Sequence, residues 1–205
     1  MPHVMPMFNF MPSCQLCELS PSVKANLCLD CWRSLPWFKK EVLRQEMPIW
    51  AACHYAYPMD RLIQQFKYQQ QLHYQTLLSD LLAEVKYVGI QAIVPMPISL
   101  AKLAERGFNQ SILIAKNLSQ KLKVPIWQPV LRHAEHSQKG LSRQERLTNI
   151  EQQFYLDPNN HSRFKRVLIV DDVVTTGSSI HALTEQLKVL GCQQIRAACL
   201  AVAEG

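Results

Sequence analysis

VLIVDDVVTTGSSI, Val167 to Ile180, opens on an apolar run, passes through two aspartates and ends in hydroxyl side chains around one glycine. The continuous β-branched and apolar stretch Val167–Val170 reads as a central strand buried on both faces. It delivers Asp171 and Asp172 at its carboxyl end. Thr175, Thr176, Gly177, Ser178 and Ser179 follow, and then a helix begins. Gly177 lets the backbone turn tightly and approach an anion. Successive N–H groups in such a turn, with the helix N-terminus, make a phosphate cradle. The four hydroxyls add donors. Ionised carboxylates only accept hydrogen bonds, which suits the 2- and 3-hydroxyls of a ribose. The string therefore fits a ribose 5-phosphate, and the two carboxylates would repel each other unless a donor or a cation lay near them.

Three other readings compete. A Walker B strand also ends in aspartates, but it needs a G-x-x-x-x-G-K-[ST] loop, which the chain lacks. A receiver domain carries its acidic pair on the first strand with most of the domain still to come, whereas 33 residues follow Asp172 here. A plain buried strand followed by a helix cap explains Ser178 or Ser179 but leaves the adjacent aspartates and T-T-G unused.

Outward from this string, helix and strand patterns alternate from Ala51 onward. Arg61–Tyr68 and Thr76–Tyr87 read as helices, Ala92–Val94 as a buried strand ended by Pro95 and Pro97, and Phe108–Leu122 as an amphipathic helix. Pro125–Leu131 reads as an edge or irregular strand because of its prolines. His133–Gly140 reads as a polar, mobile loop. Ile180–Leu190 is a helix with Gly191 placed for its C-cap, and Ile195–Val202 a last strand. This order implies an α/β fold, a mostly parallel sheet flanked by helices, with ligands at the carboxyl ends of the strands.

Toward the N-terminus the pattern changes. Cys14-x₂-Cys17 and Cys28-x₂-Cys31 stand ten residues apart in a segment too short to build a core. Two such units complete a tetrahedral Cys₄ site for structural Zn²⁺, and a redox dithiol would need a βαβ context that is absent here. Cys53, Cys192 and Cys199 lie in apolar surroundings and read as core. Trp32 and Trp37 are expected to pack the module onto its neighbour, with base stacking as the alternative. The expected organisation is a loose tail at 1–12, the zinc module and linker at 13–45, and the α/β domain at 46–205. The segment from Trp37 to Trp50 reads as the connection.

The chain has 205 residues, 48% of them hydrophobic, and a formal net charge of +6. That composition excludes wholesale disorder and is compatible with anionic ligands. The opening MPHVMPMFNFMPS has no basic n-region and is interrupted by Pro2, Pro6 and Pro12, so it makes a poor signal peptide. No apolar stretch reaches the roughly 18–20 residues needed to cross a bilayer. We expect a cytoplasmic protein without membrane insertion. Lys39, Lys40 and Arg44 form one basic cluster, and Lys121, Lys123, Arg132 and Lys139 a looser one. They read either as solvated surface or as a track for a phosphate backbone, with few aromatics among them for stacking.

The string at 167–180 resembles the loop of type I phosphoribosyltransferases, which bind 5-phosphoribosyl 1-pyrophosphate (PRPP). More closely, the chain resembles the ComF family of competence-associated proteins. The likeness covers most of the chain: the paired CxxC units, LIQQFKY at Leu62–Tyr68, VPMPIS at Val94–Ser99, ERGFNQS at Glu105–Ser111, GLSRQERLTNIEQQF at Gly140–Phe154, and the loop itself. It implies a type I phosphoribosyltransferase-like sheet preceded by a small zinc module, and a role in natural transformation, in handling incoming single-stranded DNA. It also implies that Asp171 and Asp172 hold the ribose hydroxyls and Thr175, Thr176, Gly177, Ser178 and Ser179 the 5-phosphate. Val94–Ser99, with Pro97 and Ser99, would supply the pyrophosphate-side loop, and Mg²⁺ would bridge pyrophosphate and ribose oxygens. Residues Arg132 to Arg146 fall where these enzymes keep a flexible flap. Arg143 and Arg146 would neutralise pyrophosphate or belong to a solvated helix face, with Arg106 as a further candidate. No base-recognition hood stands out, so the acceptor is unspecified. Three functions follow: a DNA-uptake factor that binds PRPP, an active phosphoribosyltransferase, and a zinc-module adaptor to a DNA-translocating, helicase-like partner.

Overall fold

The computed structural model describes residues 12–133 and 153–203. Two compact units divide the chain, Met1–Leu35 and Pro36–Gly205.

The first unit has one short helix, α1 (Leu29–Arg33). The rest is turns, tied by isolated bridges at Ser13–Pro21 and Lys24–Leu27 and by left-handed backbone at Glu18, Ala25 and Asn26. The Lys24 ammonium sits 4.3 Å from the centre of the Trp32 ring.

The second unit contains β1 (Trp37–Arg44), β2 (Met47–His54), α2 (Met59–Tyr68), α3 (Gln75–Leu82), β3 (Ala92–Pro95), α4 (Leu100–Arg106) and α5 (Gln110–Leu122). It continues with β4 (Val130–Arg132), β5 (Phe154–Leu156), β6 (Arg166–Val174), α6 (Ser178–Val189) and β7 (Gln194–Val202). Among the described residues, five strands form a sheet in the order β1-β2-β7-β6-β3. β3, β6, β7 and β2 run parallel, and β1 is antiparallel to β2. The α/β arrangement expected from the alternating pattern, a mostly parallel sheet flanked by helices, is the one observed, and it agrees with the fold that the resemblance implied.

The apolar run of β6 is explained by its position. Val167, Leu168, Ile169 and Val170 are all fully buried, because the strand lies between β7 and β3 with helices over both faces of the sheet. Side chains alternate along it. Val167 and Ile169 belong to the core that includes Ile180, Leu183 and Leu187 of α6. The opposite face carries α5, which packs on β3 and β6, and α3, which packs on α5 and β7. β3 ends at Pro95, yet Met96 still donates its N–H to the Val170 carbonyl at 2.9 Å. The loops after β3 and β6 therefore leave the sheet side by side.

Some expectations need correction. The segment from Trp37 to Trp50, read as a connection, contains β1 and the start of β2; its mixed pattern is that of an edge hairpin with one face toward solvent. The helix expected over Thr76–Tyr87 stops at Leu82, and the Tyr87 hydroxyl returns to donate to the Leu82 carbonyl. Helix α4 lacked a recognisable stripe because none of its residues is buried. Pro125–Leu131 is irregular as expected: Ile126 makes one bridge to Ile93 at the sheet edge, and Val130–Arg132 pairs separately with β5.

Candidate functional site

Strand β6 continues through both aspartates to Val174, so alternation sends the two carboxylates to opposite sides. Asp171 lines a cavity of about 70 Å³ whose other walls are Val173 to Ile180. Its Oδ1 accepts from the Ser111 hydroxyl at 3.4 Å and from the Asp172 N–H at 2.9 Å. Burial, and then the neighbouring Asp172 charge, raise the Asp171 carboxyl to about 7 against the pull of Lys67 and Arg132. Asp172 faces α2. Its Oδ1 lies 2.8 Å from Lys67 Nζ and accepts the Val173 N–H at 2.6 Å. Its Oδ2 is buried with no donor. Of the two carboxylates, Asp171 faces the cavity and could accept from a ligand hydroxyl or a hydrated cation there.

The loop after β6 makes the tight turn into a helix that the sequence suggests. Gly177 has φ +79° and precedes α6, and the Thr176 and Ser178 hydroxyls are 3.0 Å apart. The hairpin supplies a contact that sequence reasoning missed. Arg44, at the end of β1, donates from Nε to the Thr175 carbonyl at 2.8 Å, and a Cβ on Gly177 would stand 2.5 Å from Arg44 Cβ. Lys67 and Ser111 were missed as well. Both lie in the segments LIQQFKY and ERGFNQS, which stood out as wholes without a role for either residue.

Pro97 and Ser99 lie in the loop after β3. Ser99 is buried and N-caps α4, accepting from the Lys102 N–H. Asn109 N-caps α5 and ties that loop down by donating to the Met96 carbonyl at 3.0 Å. Arg106 donates to Gln110 Oε1 at 3.1 Å and lies over the Tyr68 ring at 5.0 Å, with Nε buried and unpaired. Arg143, Arg146 and Lys139, with most of the segment Gly140–Phe154, lie outside the described residues. Of the basic clusters, Lys39 pairs with Glu84, Lys121 with Asp80, and Arg44 is held by the loop.

In the first unit the four sulfurs of Cys14, Cys17, Cys28 and Cys31 all lie within 4.8 Å of one another. Cys17 and Cys28 are 3.9 Å apart. Metal–sulfur bonds of about 2.3 Å in a tetrahedron require edges of about 3.8 Å. The Leu16 and Cys31 N–H groups point at the Cys14 and Cys28 sulfurs, each at 3.4 Å. Burial raises the Cys14 thiol, but N–H groups of Cys17, Cys28 and Leu16 outweigh it and bring it to about 6. Burial and the neighbouring thiols push Cys31 up. Both the geometry and the donor set fit a tetrahedral, thiophilic ion. Cys53, Cys192 and Cys199 are buried in the core of the second unit, as expected.

Residues 109–204 match the phosphoribosyl transferase domain family. Over 200 residues the chain is 30% identical to competence protein F of Haemophilus influenzae, covering 90% of this chain and 82% of that protein. It is 31% identical over 206 residues to the DNA utilization protein YhgH of Escherichia coli K12, covering 91% and 88%. It is 28% identical over 174 residues to competence protein ComFC of Bacillus subtilis, covering 82% and 68%. Among the described residues, no helix is long and apolar enough to cross a membrane.

Proposed function

The chain belongs to the family of competence protein F and YhgH, and from that premise we propose that it is a cytoplasmic DNA-uptake and DNA-utilisation factor that binds PRPP with Mg²⁺. The observation that carries the ligand is the cavity between Asp171 and the loop Val173–Ile180. Thr175, Thr176, Gly177, Ser178 and Ser179 take the 5-phosphate on N–H groups and hydroxyls. Asp171 and Asp172 accept the ribose hydroxyls. Pro97 and Ser99 border the pyrophosphate, and Arg106, Arg143 and Arg146 offset its charge. Mg²⁺, when bound, neutralises the pyrophosphate oxygens. Cys14, Cys17, Cys28 and Cys31 hold structural Zn²⁺. Single-stranded DNA follows Lys40, Lys123 and their neighbours, with an affinity that falls steeply as salt rises; binding indifferent to salt overturns that part.

Calorimetric titration of PRPP with Mg²⁺ tests the site. Saturable binding by the wild type, lost in Asp171→Ala/Asp172→Ala, is the expected result. No binding by folded, zinc-loaded wild type overturns it.

The match of residues 109–204 to a transferase domain family favours a second reading, in which the bound PRPP also reacts. The C1–pyrophosphate bond breaks with its electron pair leaving on pyrophosphate, a lone pair of the acceptor forms the new bond to C1 and the acceptor's proton passes to solvent, and Asp171 and Asp172 stabilise the positive charge that builds on the ribose ring. Release of pyrophosphate dependent on an added acceptor is the readout, and binding without release across the nucleobases removes this reading.

A further inference from the structure

The β1–β2 hairpin and the loop after β6 meet at one residue. Arg44 ends β1, 131 residues before Thr175 in the chain, and donates from Nε to the Thr175 carbonyl at 2.8 Å. Its Nη1 donates to the Leu43 carbonyl at 3.3 Å, which holds the guanidinium in place. The same side chain occupies the space above Gly177, where a Cβ would stand 2.5 Å from Arg44 Cβ. Thr175, Thr176 and Gly177 line the cavity beside Asp171, whereas Arg44 is not among the residues around it. The loop thus has two sides, with the cavity on one and Arg44 on the other. The peptide between Thr175 and Thr176 is trans, so its C=O and N–H point in opposite directions. Drawing the carbonyl toward Arg44 turns the Thr176 N–H to the cavity side. Among the described residues that N–H has no acceptor, nor has the N–H of Gly177. Water could satisfy a carbonyl at the surface, so what the guanidinium adds is a fixed direction.

We propose that Arg44 is a positioning residue for phosphate: by holding the Thr175 carbonyl on the outer side of the loop, it presets the Thr176 N–H as a donor to the 5-phosphate. This rests on reading the loop after β6 as a ribose 5-phosphate site. The glycine at 177 leaves the turn free to rotate its neighbouring peptides. A flipped 175–176 peptide would present a carbonyl oxygen to the anion in place of an N–H. Blocking that flip in the free protein removes an ordering cost from binding. Arg44 acts here as a hydrogen-bond donor to the loop, on the side away from the ligand.

The test titrates ribose 5-phosphate into the full chain and into two variants. Arg44→Gln carries Nε2 at the place along the side chain where arginine has Nε, so it keeps a donor and loses the charge. Arg44→Met has a similar length and no donor, and both variants keep the Cβ that lies against Gly177. We expect Arg44→Met to bind about tenfold more weakly than wild type, the effect of one hydrogen bond to a charged group. Arg44→Gln stays within about threefold of wild type. The Thr176 amide resonance of wild type moves as ribose 5-phosphate saturates the site. Affinity in Arg44→Met within about twofold of wild type overturns the inference and leaves the phosphate site standing. Arg44→Gln as weak as Arg44→Met also overturns it, since Arg44 would then act by charge. So does a Thr176 resonance that binding leaves in place. No binding of ribose 5-phosphate by wild type overturns the ribose 5-phosphate reading itself, and the inference with it. If the variants fail to fold, a crystal structure of wild type with ribose 5-phosphate decides. The Thr176 N–H on the phosphate with Arg44 still on the Thr175 carbonyl supports the inference, and Arg44 displaced from that carbonyl overturns it.

Discussion

Asp171 and Asp172 are neighbours in the chain, yet the pleat of β6 gives them different environments. Asp171 holds its proton to about pH 7, first because it is buried and then because Asp172 is beside it. Its ordinary value is 3.8. Between those two values the native state binds more protons than the unfolded chain, so the contribution of Asp171 to stability falls as pH rises from about 4 to about 7 and is flat above. Urea unfolding of wild type and Asp171→Asn across this range is expected to show wild type losing stability relative to the variant up to pH 7, then running parallel to it. Curves parallel throughout contradict the burial argument. The acidic pair at the end of a buried strand was legible in the string VLIVDDVVTTGSSI. Their division between a cavity and Lys67 was not, because a period-two alternation does not say which element covers each face.

At the scale of elements, the junction of β6 and α6 is closed by a strand far away in sequence. Gly177 is required twice. Its φ of +79° is left-handed, and the Cβ of an alanine would meet Arg44 Cβ at 2.5 Å. Gly177→Ala is expected to destabilise the protein by about 1–3 kcal/mol in chemical denaturation. It should also weaken phosphate binding, because β1 and the loop must separate. Arg44→Ala does not rescue it, since the contact is with a Cβ that alanine keeps; full rescue would show that the guanidinium end is the obstacle. The tight turn was readable from T-T-G alone. Its lid was not, because β1 has its exposed side chains on an edge hairpin and its apolar pattern is weak.

At the scale of the whole molecule, one unit has four clustered cysteines and little core, and the other has a core of its own. Residues 12–35 have little buried apolar surface beyond Cys14, Leu27, Cys28, Trp32 and Leu35, whereas the sheet of the second unit is buried along its central strands. Zinc analysis of reduced protein is expected to give about one ion per chain. Its removal by a chelator should expose the first unit to proteolysis while the helix and strand signal of Pro36–Gly205 persists. Loss of both together would show that the second unit depends on the metal. The sequence by itself determined the α/β class, the tight turn at Gly177 between strand and helix, and the cysteine quartet. Each is written in short-range spacing: an apolar run, a glycine between hydroxyls, two CxxC pairs. Only the tertiary structure decided that Lys67 of α2 meets Asp172, that Ser111 of α5 meets Asp171 and that Arg44 covers Gly177. Those partners are separated by tens of residues or more, and they are brought together by the order in which strands assemble into the sheet, an order that local periodicity does not encode.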